Sequence, residues 1–263
     1  MKRIVFCFFV FLSLQGCFSI NEEIYLHDNN SGEYSIEMDL SQAISMVQSL
    51  AASFADSLNV DNEEMEDIDE NSSSKDADTT IYLKPYIDTS TTLSDEEKRI
   101  LGKSRLTVKG GSDMSAFKMK LTVPFDNLQE LHTLSLANNN GSAFELMFSA
   151  LGSKNPNLPV DKSMSDAKSP YELEFSDNVF ERKFSEELFK STGKNMVNEM
   201  QDEESLEMLG DASYNTTLHF DKPVKNITGK YAKLSDDRKT VIINVLMKDF
   251  IKNPSSLAYK VEF

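Results

Sequence analysis

Three histidines, two cysteines and 43 acidic side chains are the groups here that could carry acid–base, nucleophilic or metal chemistry. His27, His132 and His219 lie far apart and on different kinds of element: a turn, a helix and the polar side of a strand. There is no HExxH and no Cys/His spacing suited to zinc. There is no Gly-x-Ser-x-Gly elbow, no GxxxxGKS/T loop and no GxGxxG. Gly110-Gly111-Ser112 has the glycines of a phosphate cradle, but it joins two strands instead of opening a helix, so it reads as a turn. Paired carboxylates are abundant, yet an acidic surface supplies such pairs by chance. Tryptophan is absent, which weakens stacking against sugars while leaving Tyr and Phe available. These residues point away from an enzyme, and no metal or cofactor is expected.

One cysteine does have a context. Met1-Lys2-Arg3 is a basic start, Ile4 to Leu12 is apolar, and Ser13-Leu14-Gln15-Gly16-Cys17 closes the run. The apolar run is too short for a membrane span of about 20 residues, and its flanks are those of a secretory signal. Leu14-Gln15-Gly16-Cys17 resembles a bacterial lipobox. That resemblance implies cleavage between Gly16 and Cys17, with Cys17 becoming the diacylated, often triacylated (palmitate-bearing) first residue. Phe18 stands where an aspartate would suggest inner-membrane retention in well-studied diderm bacteria, so the outer membrane is expected. Cys7 leaves with the signal, so no disulfide framework remains.

Formal charge is -16. Most of it lies early: from Glu22 to Asp78 only Lys75 is basic, whereas the stretch from Asp221 to Phe263 is net positive. Such a chain repels nucleic acid and anionic bilayer surfaces overall. With 40% hydrophobic residues it can still build a core.

The elements follow from periodicity. Ile20, Ile24 and Leu26 share one face of a first strand, which Glu22 interrupts. Asp28-Asn29-Asn30-Ser31-Gly32 is turn chemistry, with Gly32 expected to tolerate positive φ. Glu33 to Leu40 then alternates strictly, completing a hairpin. Ile44, Val47, Leu50, Ala51, Phe54 and Leu58 form a helical apolar stripe. Residues 59–78 hold too little apolar surface to offset chain entropy and read as an acidic disordered linker or loop. The segment lacks the central glycine and the twelfth-position glutamate of an EF-hand.

Ile81 to Ile87 reads as an edge strand interrupted by Pro85, and Ser94-Asp95-Glu96-Glu97 as a capping box. A second hairpin runs from Arg105 to Phe125, followed by a helix through Leu136 and an apolar helical piece from Ala143 to Leu151. After a proline-bearing loop, Tyr171 to Phe184 forms a third hairpin and Ser185 to about Leu209 a helical region. Strands close the chain at Ala212 to Phe220, Val224 to Tyr231, Thr240 to Met247 and Ala258 to Phe263.

Successive hairpins with intervening helices predict an α+β fold, an antiparallel sheet covered by helices. The expected parts are a cleaved signal at 1–16, a hairpin and helix at 17–58, the acidic segment at 59–78 and the rest of the domain at 79–263. The inward positions, rich in Phe, Met, Leu and Tyr, make either an apolar pocket or a filled core.

The lipobox cysteine, acidic first strand and Asp28-Asn29-Asn30-Ser31-Gly32 turn resemble uncharacterised envelope lipoproteins of the Bacteroidetes type. The ending Leu218-His219-Phe220-Asp221-Lys222-Pro223-Val224-Lys225-Asn226-Ile227-Thr228-Gly229, then Asp236-Asp237-Arg238-Lys239-Thr240-Val241, is similar to the end of the mycobacterial LppM-type lipoprotein domain. It lacks that family's tryptophan after Thr240. The resemblance implies an envelope domain that binds lipids or glycolipids, and carries over no site residue. The expected function is a non-catalytic binding module, anchored in the membrane by its acylated N-terminus, for an apolar or lipid ligand. The competing expectation is a structural or assembly lipoprotein contacting another envelope protein.

Overall fold

The computed structural model describes residues 19–41, 78–91, 93–110, 117–139, 170–176, 178–190 and 203–263. Where alternation is cleanest, the strands form as expected. β1 (Ser19–Leu26) and β2 (Gly32–Asp39) make the first hairpin, with Leu26 opposite Gly32. Positive φ in its turn falls on Asn30 (64°), not on Gly32. Gly32 is needed for space instead: a Cβ there would sit 1.8 Å from the Tyr25 carbonyl oxygen and 2.5 Å from Phe125 Cζ.

β4 (Arg105–Gly110) and β5 (Phe117–Phe125) pair antiparallel, and β3 (Thr79–Tyr82) adds to β4 as an edge. The strand expected over Ile81 to Ile87 therefore stops at Tyr82, because Lys84–Asp88 is helical with Pro85 in its first turn. Proline fits there: its missing N–H costs nothing where helical donors lack partners anyway. The capping box forms as read, with the Ser94 hydroxyl accepting from the Glu97 amide at the start of helix Asp95–Leu101.

β6 (Tyr171–Ser176) and β7 (Val179–Phe184) give the third hairpin. The C-terminal run contains β8 (Ser213–Phe220), β9 (Asn226–Thr228), β10 (Ala232–Leu234), β11 (Thr240–Leu246) and β12 (Tyr259–Glu262). Helix Met247–Lys252 and a 3-10 turn at Pro254–Leu257 link the last two strands. The Ile44–Leu58 stripe, nearly all of the acidic segment, the helical piece at 143–151 and the middle of the 185–209 region lie outside the described residues.

The strands make two sheets instead of one: an eight-stranded sheet ordered β10-β11-β8-β1-β2-β5-β4-β3 and a four-stranded sheet ordered β6-β7-β12-β9. The fold is thus mixed α and β, with large, mainly antiparallel sheets and few helices among the described residues. Two expectations need correction. β1 and β8 pair in parallel, Glu22 beside Thr216, so residues 194 apart in sequence are neighbours inside the large sheet. Helices also do not supply the cover alone. The second sheet packs on the β1–β8 region, where Phe263 after β12 meets Phe220 at 4.7 Å. Helices Asp95–Leu101 and Leu128–Asn139 pack at the β5 side. Ile24, Ile36, Leu121, Leu218 and Val241 are buried on the covered face.

Candidate functional site

Even-numbered residues of β1 point into the interior, and Glu22 shares that face with Ile24 and Leu26. Its carboxylate is buried but fully engaged. Arg182, from β7 of the other sheet, donates to it from Nη2 at 2.8 and 2.6 Å. The Thr216 hydroxyl donates at 3.0 Å and the Tyr214 hydroxyl at 3.3 Å. The Arg182 guanidinium lies 5.5–5.8 Å from the ring centres of Tyr259, Tyr171 and Tyr214, within cation–π range. Burial by itself would lower the arginine's pKa, but Glu22 and the tyrosine oxygens hold it well above its ordinary value. Burial, then the Glu22 charge, pushes the Tyr34 phenol up. Arg182 Nε and the Tyr259 hydroxyl are buried with no hydrogen-bond partner among the described residues. This cluster joins the two sheets.

A second buried carboxylate, Glu130, anchors the helical side. Arg99 reaches it at 2.5 Å, Lys103 at 3.1 Å and the Asp126 amide at 3.0 Å. Burial opposes ionisation, yet these donors outweigh it and lower the Glu130 pKa.

The opposite face of the eight-stranded sheet is open and mainly polar, with Tyr25, Tyr82 and Ile242 its exposed large apolar side chains. β4 and β5 present Arg105, Lys109, Lys118 and Lys120, while β2 and β1 present Glu33, Glu37, Asp39 and Glu23. Within the face Arg105 pairs with Glu33 at 3.0 Å, Lys118 with Asp39 at 2.9 Å and Lys120 with Glu23 at 3.0 Å. Desolvation resists, but hydrogen bonds from Ser41 and Lys118 still lower the Asp39 pKa. A concave shelf of about 340 Å³ is lined by Glu33, Glu37, Arg105, Lys109, Lys118 and Lys120 with Thr107 and Thr122. Its lining can hold polar or charged groups by hydrogen bonds and has no apolar wall.

No known protein family and no curated protein matches the chain. Among solved structures, the folded domain of the Mycobacterium tuberculosis LppM protein, determined by NMR, is similar at 8% identity. The match covers 94% of this chain and 91% of that one, with a TM-score of 0.36.

Of the residues the sequence pointed to, Gly16 and Cys17 lie outside the described residues. The histidines stay apart: His27 Nδ1 bonds Asp221 at 3.2 Å, His132 is on helix Leu128–Asn139, and His219 stacks on Tyr25 at 4.1 Å on the open face. No group of three or more His, Cys, Asp or Glu is arranged to hold a metal ion among the described residues, and no described helix is long and apolar enough to cross a membrane. The inter-sheet cluster escaped sequence reading. Its one signal was Glu22, an acid in an inward register; Arg182, equally inward between Phe180 and Phe184, completes the pair.

Proposed function

We propose that this chain is a non-catalytic binding module of the bacterial envelope, tethered through acylated Cys17 at the outer membrane, and that it works through the open face of its large sheet. The observation that carries the reading is the contrast between the sheet's two faces. The inward side chains pack into one buried cluster closed by the Glu22–Arg182 pair, whereas the outward face keeps its charged groups in water around a concave shelf. This favours a polar partner, as in an assembly lipoprotein, over an apolar ligand held between the sheets.

The test is a photo-crosslinking residue placed at Thr107 in the full chain, expressed in a diderm bacterium with Cys17 intact or changed to Ser. The expected result is one discrete adduct from Thr107, none from a control position at Glu187, and loss of membrane association with Cys17→Ser. Absence of any Thr107 adduct would sink the open-face reading. A stoichiometric lipid in a solvent extract of the purified Cys17→Ser protein would return the apolar-ligand reading.

A further inference from the structure

The charges on the open face are sorted, not scattered. Across its central strands four cations lie on β4 and β5, and four carboxylates on β2 and β1. A basic stripe thus runs beside an acidic one, and the part of the face on β3, β4, β5, β2, β1 and β8 sums to zero, Lys233 lying apart at the β10 edge, on a chain whose formal charge is -16. The six side chains paired within the face remain open to solvent, from 20% for Asp39 to 43% for Lys118.

We propose that this face docks a second copy of the same chain through a two-fold axis. The axis runs parallel to the strands, over the boundary between β5 and β2. Rotation about it lays β5 of one copy over β2 of the other, β4 over β1 and β3 over β8. Residues paired across neighbouring strands lie at one height, and register then decides what meets what. Lys120 is opposite Glu37 within the sheet and Lys118 opposite Asp39. Arg105, Thr122, Ser35 and Glu23 share another level. The rotation therefore brings Lys120 over Glu37, Lys118 over Asp39 and Arg105 over Glu23 of the second copy, each contact occurring twice.

Three physical points favour a self-partner. An isologous two-fold interface matches its own surface reversed, which two adjacent stripes of opposite sign satisfy automatically. The net acidic chain repels another copy at long range, and the balanced charge of this face adds no repulsion of its own. Six strands about 4.8 Å apart and about 23 Å long give on the order of 650 Å² of sheet per copy, near the roughly 800 Å² per partner of a standard interface. Twisted sheets stack at about -30°, so alignment is best near the axis, where Lys120 and Glu37 lie. Among the described residues Glu37 makes no ion pair within its own chain.

This inference rests on the open-face reading and names its partner. The test is sedimentation of the purified protein in mild detergent at 0.05 and 0.5 M salt, with circular dichroism to check folding. The expected result is a dimer at low salt that dissociates at high salt. Lys120→Glu and Glu37→Lys should each weaken it at least about 10-fold, and an equimolar mixture of the two variants should recover a heterodimer. Rescue on mixing is diagnostic, because each variant alone opposes like charges while the mixture pairs opposite ones. A folded wild-type chain that is monomeric at both salt concentrations would overturn the proposal, as would variants that stay dimeric or a mixture that stays monomeric. A Thr107 adduct whose mass is not twice that of the chain would defeat this inference alone and leave the open-face reading standing.

Discussion

Replacing Arg182 with methionine keeps most of the side chain's volume and removes the charge that neutralises Glu22. The carboxylate retains the hydroxyls of Thr216 at 3.0 Å and Tyr214 at 3.3 Å, but loses two guanidinium contacts at 2.8 and 2.6 Å. With Glu22 1% exposed, water cannot replace them. Stranding one member of a buried pair costs about 3–5 kcal/mol. In a domain of this size each kcal/mol moves the melting temperature by about 2–4 °C, so a fall of roughly 6–20 °C is expected. Glu22→Met should cost a similar amount by leaving the guanidinium without a countercharge, with the Thr216 hydroxyl at 3.4 Å and three tyrosine rings around it. The double variant removes both charges but strands the hydroxyls that Glu22 accepted from, at about 1–3 kcal/mol per unsatisfied group. It should therefore be less destabilised than the two single effects added, with a coupling energy of about 2 kcal/mol or more. Urea denaturation of the four proteins measures this. Additive losses, with coupling below about 0.5 kcal/mol, would refute the view that this pair joins the sheets.

Other expectations are local. Gly32→Ala should destabilise by about 1–3 kcal/mol or more through overpacking against the Tyr25 carbonyl and the Phe125 ring, seen as a lower denaturation midpoint. Ser94→Ala should cost about 0.5–2 kcal/mol by removing the cap on helix Asp95–Leu101, and exchange of the Glu97 amide should speed up. Glu130→Gln should cost about 1.5–3 kcal/mol at neutral pH for each weakened charge-assisted bond. Because the folded-state pKa of Glu130 is lowered, its contribution is complete above the ordinary carboxylate range and fades as pH falls through the folded value. Melting curves of wild type and Glu130→Gln should converge in acid; a gap that persists there would count against the assignment.

Local order was legible because it is written at short range. Strict alternation from Glu33 to Leu40 and from Phe117 to Phe125 allows only one face of each strand to be buried, and both strands are where that pattern puts them. Ser94 and Glu97 announce a helix start from within one turn of chain. Pro85 is ambiguous in sequence because proline suits an edge strand and a helix's first turn equally; in the fold it stands in the first turn of Lys84–Asp88, whose Ile87 is buried. The resemblance of Leu14-Gln15-Gly16-Cys17 to a lipobox is likewise a matter of adjacent residues.

Partnership between distant elements was not legible. Nothing near Ser19–Leu26 says that Ser213–Phe220 will lie parallel to it, since that pairing depends on where every intervening strand has gone. Alternation tells a strand which face to bury but not which sheet it joins, so one expected sheet became two. Glu22 illustrates the division. By itself it is an acid spoiling an apolar face; 160 residues away, Arg182 turns the same position into a buried, satisfied contact between sheets. The charge stripes of the open face arise in the same way. Each strand carries its own sign in the sequence, but only the order β4-β5-β2-β1 sets basic beside acidic. Residue types and their spacing decided the elements, while the long-range register of strands, where burial and charge pairing compete across the whole chain, decided what those elements face.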